Sequence, residues 1–141
     1  MPEATEARGN SARIAAAAIV AILFGVLLWF AGPVTDSADA VNNQGVVYNK
    51  NGDYHKAIVA FDKAIELDPG LAPAYNNRGW AYIELGQYEQ GIADCDKAIE
   101  LDPDLALAYS NRGWAYIELG QYEQGMADLD KAIELDPDLQ K

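Results

Sequence analysis

The side chains that most often carry catalysis or bind metals are few in this sequence. Among its 141 residues there is one histidine, His55, and one cysteine, Cys95. No nucleophile pattern accompanies His55, so we expect it to lie at the surface or to cap a helix rather than to act as a base. A single cysteine excludes an intramolecular disulfide and a cysteine-based metal site, and Cys95 is predicted to be a small buried hydrophobic residue. The sequence therefore predicts neither an enzyme nor a cofactor or metal site.

Acidic residues recur in pairs four positions apart, a spacing that places both carboxylates on one face of a helix. The pairs lack the loop of an EF-hand and the oxygen-rich spacing of a calcium site. A lysine lies within each pair, so a solvated face with local ion pairs is predicted, with a cation held between the carboxylates as the alternative. The pairs are Asp62/Glu66, Asp96/Glu100 and Asp130/Glu134, and the lysines are Lys63, Lys97 and Lys131.

The acidic pairs recur because the chain repeats with a period of 34 residues. Residues 72–105 and 106–139 are nearly identical copies, and residues 38–71 form a looser copy that precedes them. Copies that follow one another at a fixed period predict an array of stacked structural units. The two close copies differ at four positions, which are Pro73/Leu107, Asn76/Ser110, Ile92/Met126 and Cys95/Leu129.

Each copy contains two helical patterns that are separated by a glycine and ended by a proline. In the second copy Gly86 follows Leu85, where a helix C-terminus favours a residue that tolerates positive φ. Pro103 ends the unit, since proline suits the start of a helix and not its middle. The apolar spacing predicts helices over about 73–85 and about 88–101. The equivalent residues of the other copies are Gly52, Gly120, Pro69 and Pro137.

The repeats resemble the tetratricopeptide repeat family, whose pattern is W-x2-L-G-x2-Y, then A-x3-F, then P. The second copy reads Tyr75-x2-Arg78-Gly79-x2-Tyr82, then Gly91-x3-Cys95, then Pro103. It departs from the pattern with tyrosine for tryptophan, arginine for leucine and glycine for alanine. Glycine costs a helix about 0.5–1 kcal/mol relative to alanine, so Gly91 and Gly125 indicate tight helix crossings or loose second helices. The resemblance covers residues 38–139 and implies an all-α solenoid of three helix-turn-helix repeats.

The resemblance also implies a binding groove, because the first helices of successive repeats line a concave surface in this family. Opposite their core face, these helices carry tryptophan, isoleucine and asparagine in the present sequence. Amide side chains can pair with the N–H and C=O groups of an extended peptide, and tryptophan is a frequent binding hot spot. Packing of both tryptophans between repeats is the alternative. The predicted groove residues are Asn42, Asn43, Asn76, Asn77, Trp80, Ile83, Ser110, Asn111, Trp114 and Ile117.

The charge of the chain favours a basic or neutral protein partner. The formal net charge is −12, and residues 36–141 contain 8 Lys and Arg against 20 Asp and Glu. An acidic surface repels phosphate backbones, so nucleic acid is not expected as a partner. Chaperone-adaptor members of the family clamp an acidic tail with Lys, Arg and Asn. Asn77 matches the clamp asparagine, but the positions expected to carry its cations hold Asn42, Leu107 and Asn111, which argues against such a clamp.

The N-terminal region predicts a membrane anchor. Residues 14–32 are a run of 19 residues without charge, which as a helix would reach about 28 Å against a bilayer core of roughly 30 Å. We expect residues 1–13 to be a polar tail and residues 33–37 to link the anchor to the repeats. Two arginines precede the run and none closely follows it, so the N-terminus is predicted to be cytoplasmic and the repeats to lie on the outer, or periplasmic, side. A cleaved signal peptide, which would give a secreted protein, and a buried soluble helix are the alternatives.

The function predicted from the sequence is that of a membrane-anchored scaffold or adaptor that binds a peptide or helix of a partner protein through its groove. The alternative is a structural module that forms homo-oligomers through its last repeat, after which only Gln140 and Lys141 remain. Terminal repeats normally need a polar outer face. Four apolar residues of the last helix are therefore expected not to be all fully buried, namely Tyr122, Met126, Leu129 and Ile133.

Overall fold

The computed structural model describes residues 37–140, which form six α-helices and a short final 3-10 helix. This part of the chain contains no β-strand. The described residues confirm the predicted all-α solenoid of three helix-turn-helix repeats. The helices are α1 (Ala38–Lys50), α2 (Tyr54–Leu67), α3 (Ala72–Glu84), α4 (Tyr88–Leu101), α5 (Ala106–Glu118) and α6 (Tyr122–Leu135), followed by the 3-10 helix Pro137–Gln140.

The turn inside each repeat depends on a glycine with positive φ. Gly86 has φ of +74°, and its N–H donates to the carbonyl oxygen of Ile83 at 2.9 Å. The next N–H, that of Gln87, donates to the carbonyl oxygen of Tyr82 at 2.9 Å. This pair of hydrogen bonds satisfies carbonyl groups at the end of α3 in a Schellman motif, which favours glycine at the left-handed position. The predicted glycine turns are confirmed in all three repeats, with Gly52 and Gly120 at φ of +77° and +74°.

In the second and third repeats, the two helices cross closely at a pair of glycines. A Cβ atom built on Gly91 would lie 2.9 Å from the carbonyl oxygen of Gly79 and 2.5 Å from Cγ1 of Ile83. In the third repeat, a Cβ on Gly125 would meet Gly113 and Ile117 at 2.8 and 2.6 Å. A methyl group at either position would overlap its neighbours, so the glycines permit the close approach of the helices. Of the two alternatives that the sequence left open for Gly91 and Gly125, tight helix crossings or loose second helices, the structure shows tight crossings.

Successive repeats are joined by two arginines that each bridge three helices. Arg78 of α3 donates from Nε and Nη2 to the Asp94 carboxylate at 2.7 Å, and from Nη1 to Asp62 of the preceding repeat at 2.6 Å. Arg112 repeats the arrangement with Asp128 and Asp96. The hydrogen bonds that Arg78 donates to Asp94 are the largest cause of the raised pKa of Arg78, against the opposing effect of burial. The partly buried bidentate pair with Asp94 is geometrically specific and holds the Arg78 guanidinium in place, and the additional bond to Asp62 connects the repeat to the one before it.

The membrane localisation predicted from the sequence is corrected by the structure. No helix among residues 37–140 is long and apolar enough to cross a membrane. The α-helices contain 13 or 14 residues, which corresponds to about 20 Å against a bilayer core of roughly 30 Å. A single-pass membrane protein with its N-terminus in the cytoplasm and its repeats outside was therefore a wrong prediction. The segments 1–13 and 14–32 lie outside the described residues, as does most of 33–37.

Candidate functional site: a cavity between two tryptophans

The first helices of the second and third repeats present one tryptophan each to the same cavity. Trp80 of α3 is 36% exposed and Trp114 of α5 is 50% exposed. The cavity between them has a volume of about 300 Å³ and is also lined by Ile83, Glu84, Tyr88 and Glu118. Large exposed aromatic side chains around a cavity provide apolar contact area for a ligand.

The repeat register explains why the cavity has this composition. Trp80 and Glu84 are four residues apart on α3, and Trp114 and Glu118 have the same spacing on α5. Residues four apart share one face of a helix, so each helix contributes an aromatic ring and a carboxylate to the same side. The matching positions of α1, 34 residues earlier, hold Val46 and Lys50. The cavity with its two tryptophans thus belongs to the second and third repeats.

Most of the predicted groove asparagines bind one another across the repeat boundaries. Asn77 Nδ2 donates to Asn42 Oδ1 at 3.1 Å, and Asn111 Nδ2 donates to Asn76 Oδ1 at 2.9 Å. Asn42 and Asn76 are buried, with 8% and 4% of their surface exposed. A buried amide that is already hydrogen-bonded is not available to an incoming peptide backbone without loss of that bond. These four amides therefore connect repeats, a role that the sequence analysis did not assign to them.

A further amide links the first two repeats. Asn49 Nδ2 donates to the main-chain oxygen of Asn77 at 3.0 Å, while Asn49 Oδ1 is buried without a hydrogen-bond partner among the described residues. Of the remaining predicted groove residues, Asn43 is exposed, and Ser110 and Ile117 are half-buried. The structure thus brings Trp80, Ile83 and Trp114 to one cavity. The other predicted residues lie at repeat junctions or away from it.

Three residues of the cavity were missed by sequence reasoning, namely Glu84, Tyr88 and Glu118. The two glutamates carried a signal, because each lies one helical turn after a predicted groove tryptophan. Tyr88 carried none, because it begins the second helix of its repeat and reaches the cavity through the tertiary arrangement. The Tyr54 hydroxyl donates to Glu84 Oε2 at 2.9 Å, and this hydrogen bond is the main reason for a raised pKa of Tyr54.

The outer face of α6 is a second exposed apolar surface. Tyr122 is 66% exposed and Met126 54% exposed, while Leu129 and Ile133 are half-buried. The expectation that these four side chains are not all fully buried is confirmed. A cavity of about 550 Å³ opens beside Tyr122 at the turn that precedes α6.

The structure shows the surroundings of the side chains that were considered for catalysis or metal binding. His55 is exposed at the start of α2, and Cys95 is buried, as predicted. Burial raises the pKa of the Cys95 thiol to about 12, with a smaller contribution from the Asp94 carboxylate. Within residues 37–140, no three His, Cys, Asp or Glu side chains are grouped so that they could hold a metal ion. The carboxylates of Asp62 and Asp96 bind arginine across the repeat boundary, where the sequence had predicted only a solvated face with local ion pairs.

Comparison with known proteins identifies the repeats. Residues 38–71, 72–105 and 106–139 each match the family model of the tetratricopeptide repeat. The chain is similar to the second TPR domain of human RPAP3 in complex with the HSP70 peptide SGPTIEEVD, with 31% identity, a TM-score of 0.66, and coverage of 71% of this chain and 83% of that chain. The TPR2B domain of yeast Sti1 in a pHsp70 complex is 32% identical with a TM-score of 0.68, covering 73% and 82% of the two chains.

A plant structure gives a similar match. The Arabidopsis OM64 TPR domain is 31% identical with a TM-score of 0.70, and the alignment covers 73% of this chain and 85% of that one. A comparison with curated protein sequences gave no match.

Proposed function

The chain belongs to the tetratricopeptide repeat family, and we propose that it is an adaptor that binds a peptide or helix of a partner protein in its concave groove. Its repeats are homologous to TPR domains that bind peptides of HSP90 and HSP70. The observation that carries the proposal is the pair of exposed tryptophans, Trp80 and Trp114, on one cavity. Tryptophan side chains with a pocket between them are typical binding hot spots.

The proposed partner peptide is basic or neutral, in contrast to the acidic SGPTIEEVD peptide bound by the human relative. Recognition of an acidic tail needs available cations. In the present chain Arg78 and Arg112 are engaged in bidentate pairs with Asp94 and Asp128. The cavity itself is lined by carboxylates and by no Lys or Arg. An acidic peptide would therefore meet repulsion at the site where the aromatic contact area is concentrated.

Binding can be tested with peptides selected from a random displayed library on the purified full chain. The double variant Trp80→Ala/Trp114→Ala should weaken binding of a selected peptide at least about 30-fold, because two hot-spot side chains are lost. Its stability should change modestly, since both rings are substantially exposed. Val59→Ala, which removes a 68% exposed side chain from α2, is the matched control and should bind as the native chain does.

Two results would contradict the proposal. If no peptide is enriched, or if the double variant binds as tightly as the native chain, the groove is not a peptide site. A loss of about 3–5 kcal/mol of stability per tryptophan would instead show that the rings are packing residues. Urea unfolding of the variant measures this second outcome directly.

A second candidate function is homotypic association through the outer face of α6, which the exposure of Tyr122 and Met126 favours. An apolar surface of this kind promotes contact with a partner. The acidic charge of the chain opposes self-association, and salt screens that repulsion. Sedimentation equilibrium should therefore find more dimer at high than at low ionic strength, and Met126→Glu should remove the difference. A monomer at both ionic strengths would refute this function.

A further inference from the structure

We propose that the cavity between Trp80 and Trp114 is a subsite for one cationic side chain, arginine or lysine, of the bound peptide. The inference rests on the proposed function and deepens it by naming the chemical class that the cavity recognises. It is carried by the combination of aromatic and acidic lining residues in a cavity of about 300 Å³, which is a volume suited to a side chain rather than to a folded domain.

The aromatic residues supply the first part of the recognition. The face of an aromatic ring carries negative electrostatic potential and attracts a cation, and tryptophan is the most effective ring. Trp80 and Trp114 lie on neighbouring first helices, and Tyr88 contributes a third ring from α4. A guanidinium or ammonium group with its hydrocarbon stem can contact such rings through both its charge and its apolar surface.

The carboxylates supply the second part. Glu84 and Glu118 line the same cavity. The Tyr54 hydroxyl holds one oxygen of Glu84, whereas Glu118 has no hydrogen-bond or ion-pair partner within residues 37–140. No Lys or Arg lines the cavity to balance these charges. Carboxylates beside aromatic rings attract a cation and repel an anion, so the lining selects for positive charge.

The cavity has no Lys or Arg side chain among its lining residues, in contrast to the carboxylates elsewhere in the repeats. Four lysines pair with a carboxylate three residues away, and both described arginines pair with aspartates. Glutamates at the ends of second helices are thus compensated within the chain, and the glutamates at the cavity are not compensated by Lys or Arg. The lysine-glutamate pairs are Lys63/Glu66, Lys97/Glu100 and Lys131/Glu134.

The first repeat provides an internal contrast. At the positions of Trp80 and Glu84 it carries Val46 and Lys50, which replace the aromatic ring by a smaller apolar group and reverse the charge. The cation subsite is therefore confined to the second and third repeats. The two ends of the groove therefore differ, with an acidic aromatic cavity in the second and third repeats and Lys50 in the first, and this difference would orient a bound peptide.

The subsite can be tested by NMR on the full chain with N-acetyl-arginine amide and with its uncharged isostere, N-acetyl-citrulline amide. We expect the arginine compound to shift the indole N–H signals of Trp80 and Trp114, assigned from single Trp→Phe variants. The citrulline compound should bind at least about fivefold more weakly, because it lacks the charge that interacts with the rings and carboxylates. N-acetyl-lysine amide in a third titration distinguishes a preference for guanidinium from one for any cation.

A variant that copies the first repeat provides the matched test. Trp80→Val/Glu84→Lys introduces residues that the same fold position already carries in α1, and it should abolish the arginine-dependent shift at Trp114. Glu123→Lys makes the same charge change at an exposed position of α6 and should leave the shift intact. Circular dichroism of both variants confirms that the helices are retained.

Two outcomes overturn the subsite. Equal binding of the arginine and citrulline compounds would show that charge is not recognised, and no shift with any compound would show that the cavity is not a side-chain site. The failures remain distinguishable from failure of the proposed function. If selected peptides require the tryptophans but tolerate replacement of every cation by citrulline or norleucine, the groove binds peptides without a cation subsite. If no peptide is selected and the arginine compound still binds, the adaptor function fails alone.

Discussion

Helices α4 and α6 have almost the same sequence and different surroundings. Over 14 residues they differ only at Ile92/Met126 and Cys95/Leu129. Helix α4 contacts α3 and α5, whereas α6 contacts α5 and the final 3-10 helix among the described elements. Cys95 is fully buried and Leu129 is half-buried, although leucine is the more hydrophobic residue. The helix is therefore a property of the local sequence, and burial is a property of what stacks on it.

The same comparison applies to charge. Asp96 of α4 accepts a hydrogen bond from Arg112 Nη1 at 2.5 Å, across the boundary to the third repeat. Asp130 stands at the equivalent position of α6, is exposed, and has no ion-pair partner within residues 37–140. The first repeat carries Gln44 where the others carry arginine. An identical aspartate thus acts as a junction residue in one repeat and as a surface residue in the next.

The largest difference between α4 and α6 is expected for the reactivity of a thiol at the position that holds Cys95 in α4 and Leu129 in α6. The Cys95 thiol has its pKa raised to about 12, so almost no thiolate is present at pH 8. Its reaction with DTNB should be at least about 100-fold slower than that of the cysteine introduced by Leu129→Cys in a Cys95→Ala background. Similar rates for the two thiols in the folded protein would contradict the burial difference.

The raised pKa of Cys95 also gives a pH dependence with a definite sign. The unfolded thiol loses its proton near its ordinary pKa of about 8.5, whereas the folded thiol keeps it until pH about 12. The unfolded state is therefore favoured progressively as pH rises through this window, and the contribution to stability is complete below it. Cys95→Ala should lose less stability between pH 8 and 10 than the native chain does, as measured by urea unfolding.

The helix crossings should give the next largest effect. Gly91→Ala places a methyl group 2.5 Å from Ile83 Cγ1 and should cost about 1–3 kcal/mol of global stability despite the better helix propensity of alanine. Gly125→Ala meets a similar overlap, but among the described elements α6 contacts only α5 and the final 3-10 helix, so its repeat can open locally. For Gly125→Ala, hydrogen exchange should show that the loss of protection is concentrated in residues 122–135. Gln90→Ala, at an exposed position of α4, is the control and should not destabilise the chain.

Exchanging Cys95 and Leu129 between α4 and α6 should have different costs in stability, because the two sites differ in burial. Cys95→Leu adds volume at a fully buried site near Gly79 and should cost about 1–3 kcal/mol. Leu129→Cys removes volume from a half-buried site and should cost less than about 1 kcal/mol. Equal costs in urea unfolding would mean that both sites are equally covered in solution.

The smallest effect is expected at the aspartates. Asp96→Asn weakens an ion pair whose carboxylate is 53% exposed, so the loss should be about 0.5–1 kcal/mol and should shrink with added salt. Asp130→Asn should change stability by less than about 0.5 kcal/mol. A larger loss for Asp130→Asn would indicate that another group engages this carboxylate in solution.

Much of the fold and part of the candidate site could be predicted from the sequence. Helix α4 has the predicted bounds, and α3 begins and ends one residue earlier than predicted, with Leu71 as its N-cap and Leu85 as its C-cap. The two tryptophans could be placed on the same face of their respective helices, because they occupy equivalent positions 34 residues apart. The hydrogen bonds that the amides of Asn42 and Asn76 accept could not be predicted, because the donors lie 35 residues away in the next repeat.

What the sequence determined by itself is therefore local or periodic. Helix lengths, glycine turns and the number of repeats follow from 3.6-residue periodicity, from the backbone freedom of Gly86 and from a 34-residue period. Only the tertiary structure decided that Arg78 joins Asp62 to Asp94, that the amides are used between repeats, and that Tyr88, Glu84 and Glu118 meet the tryptophans. These outcomes depend on distances between residues far apart in the chain, which are set when the repeats stack and are not set within any one of them.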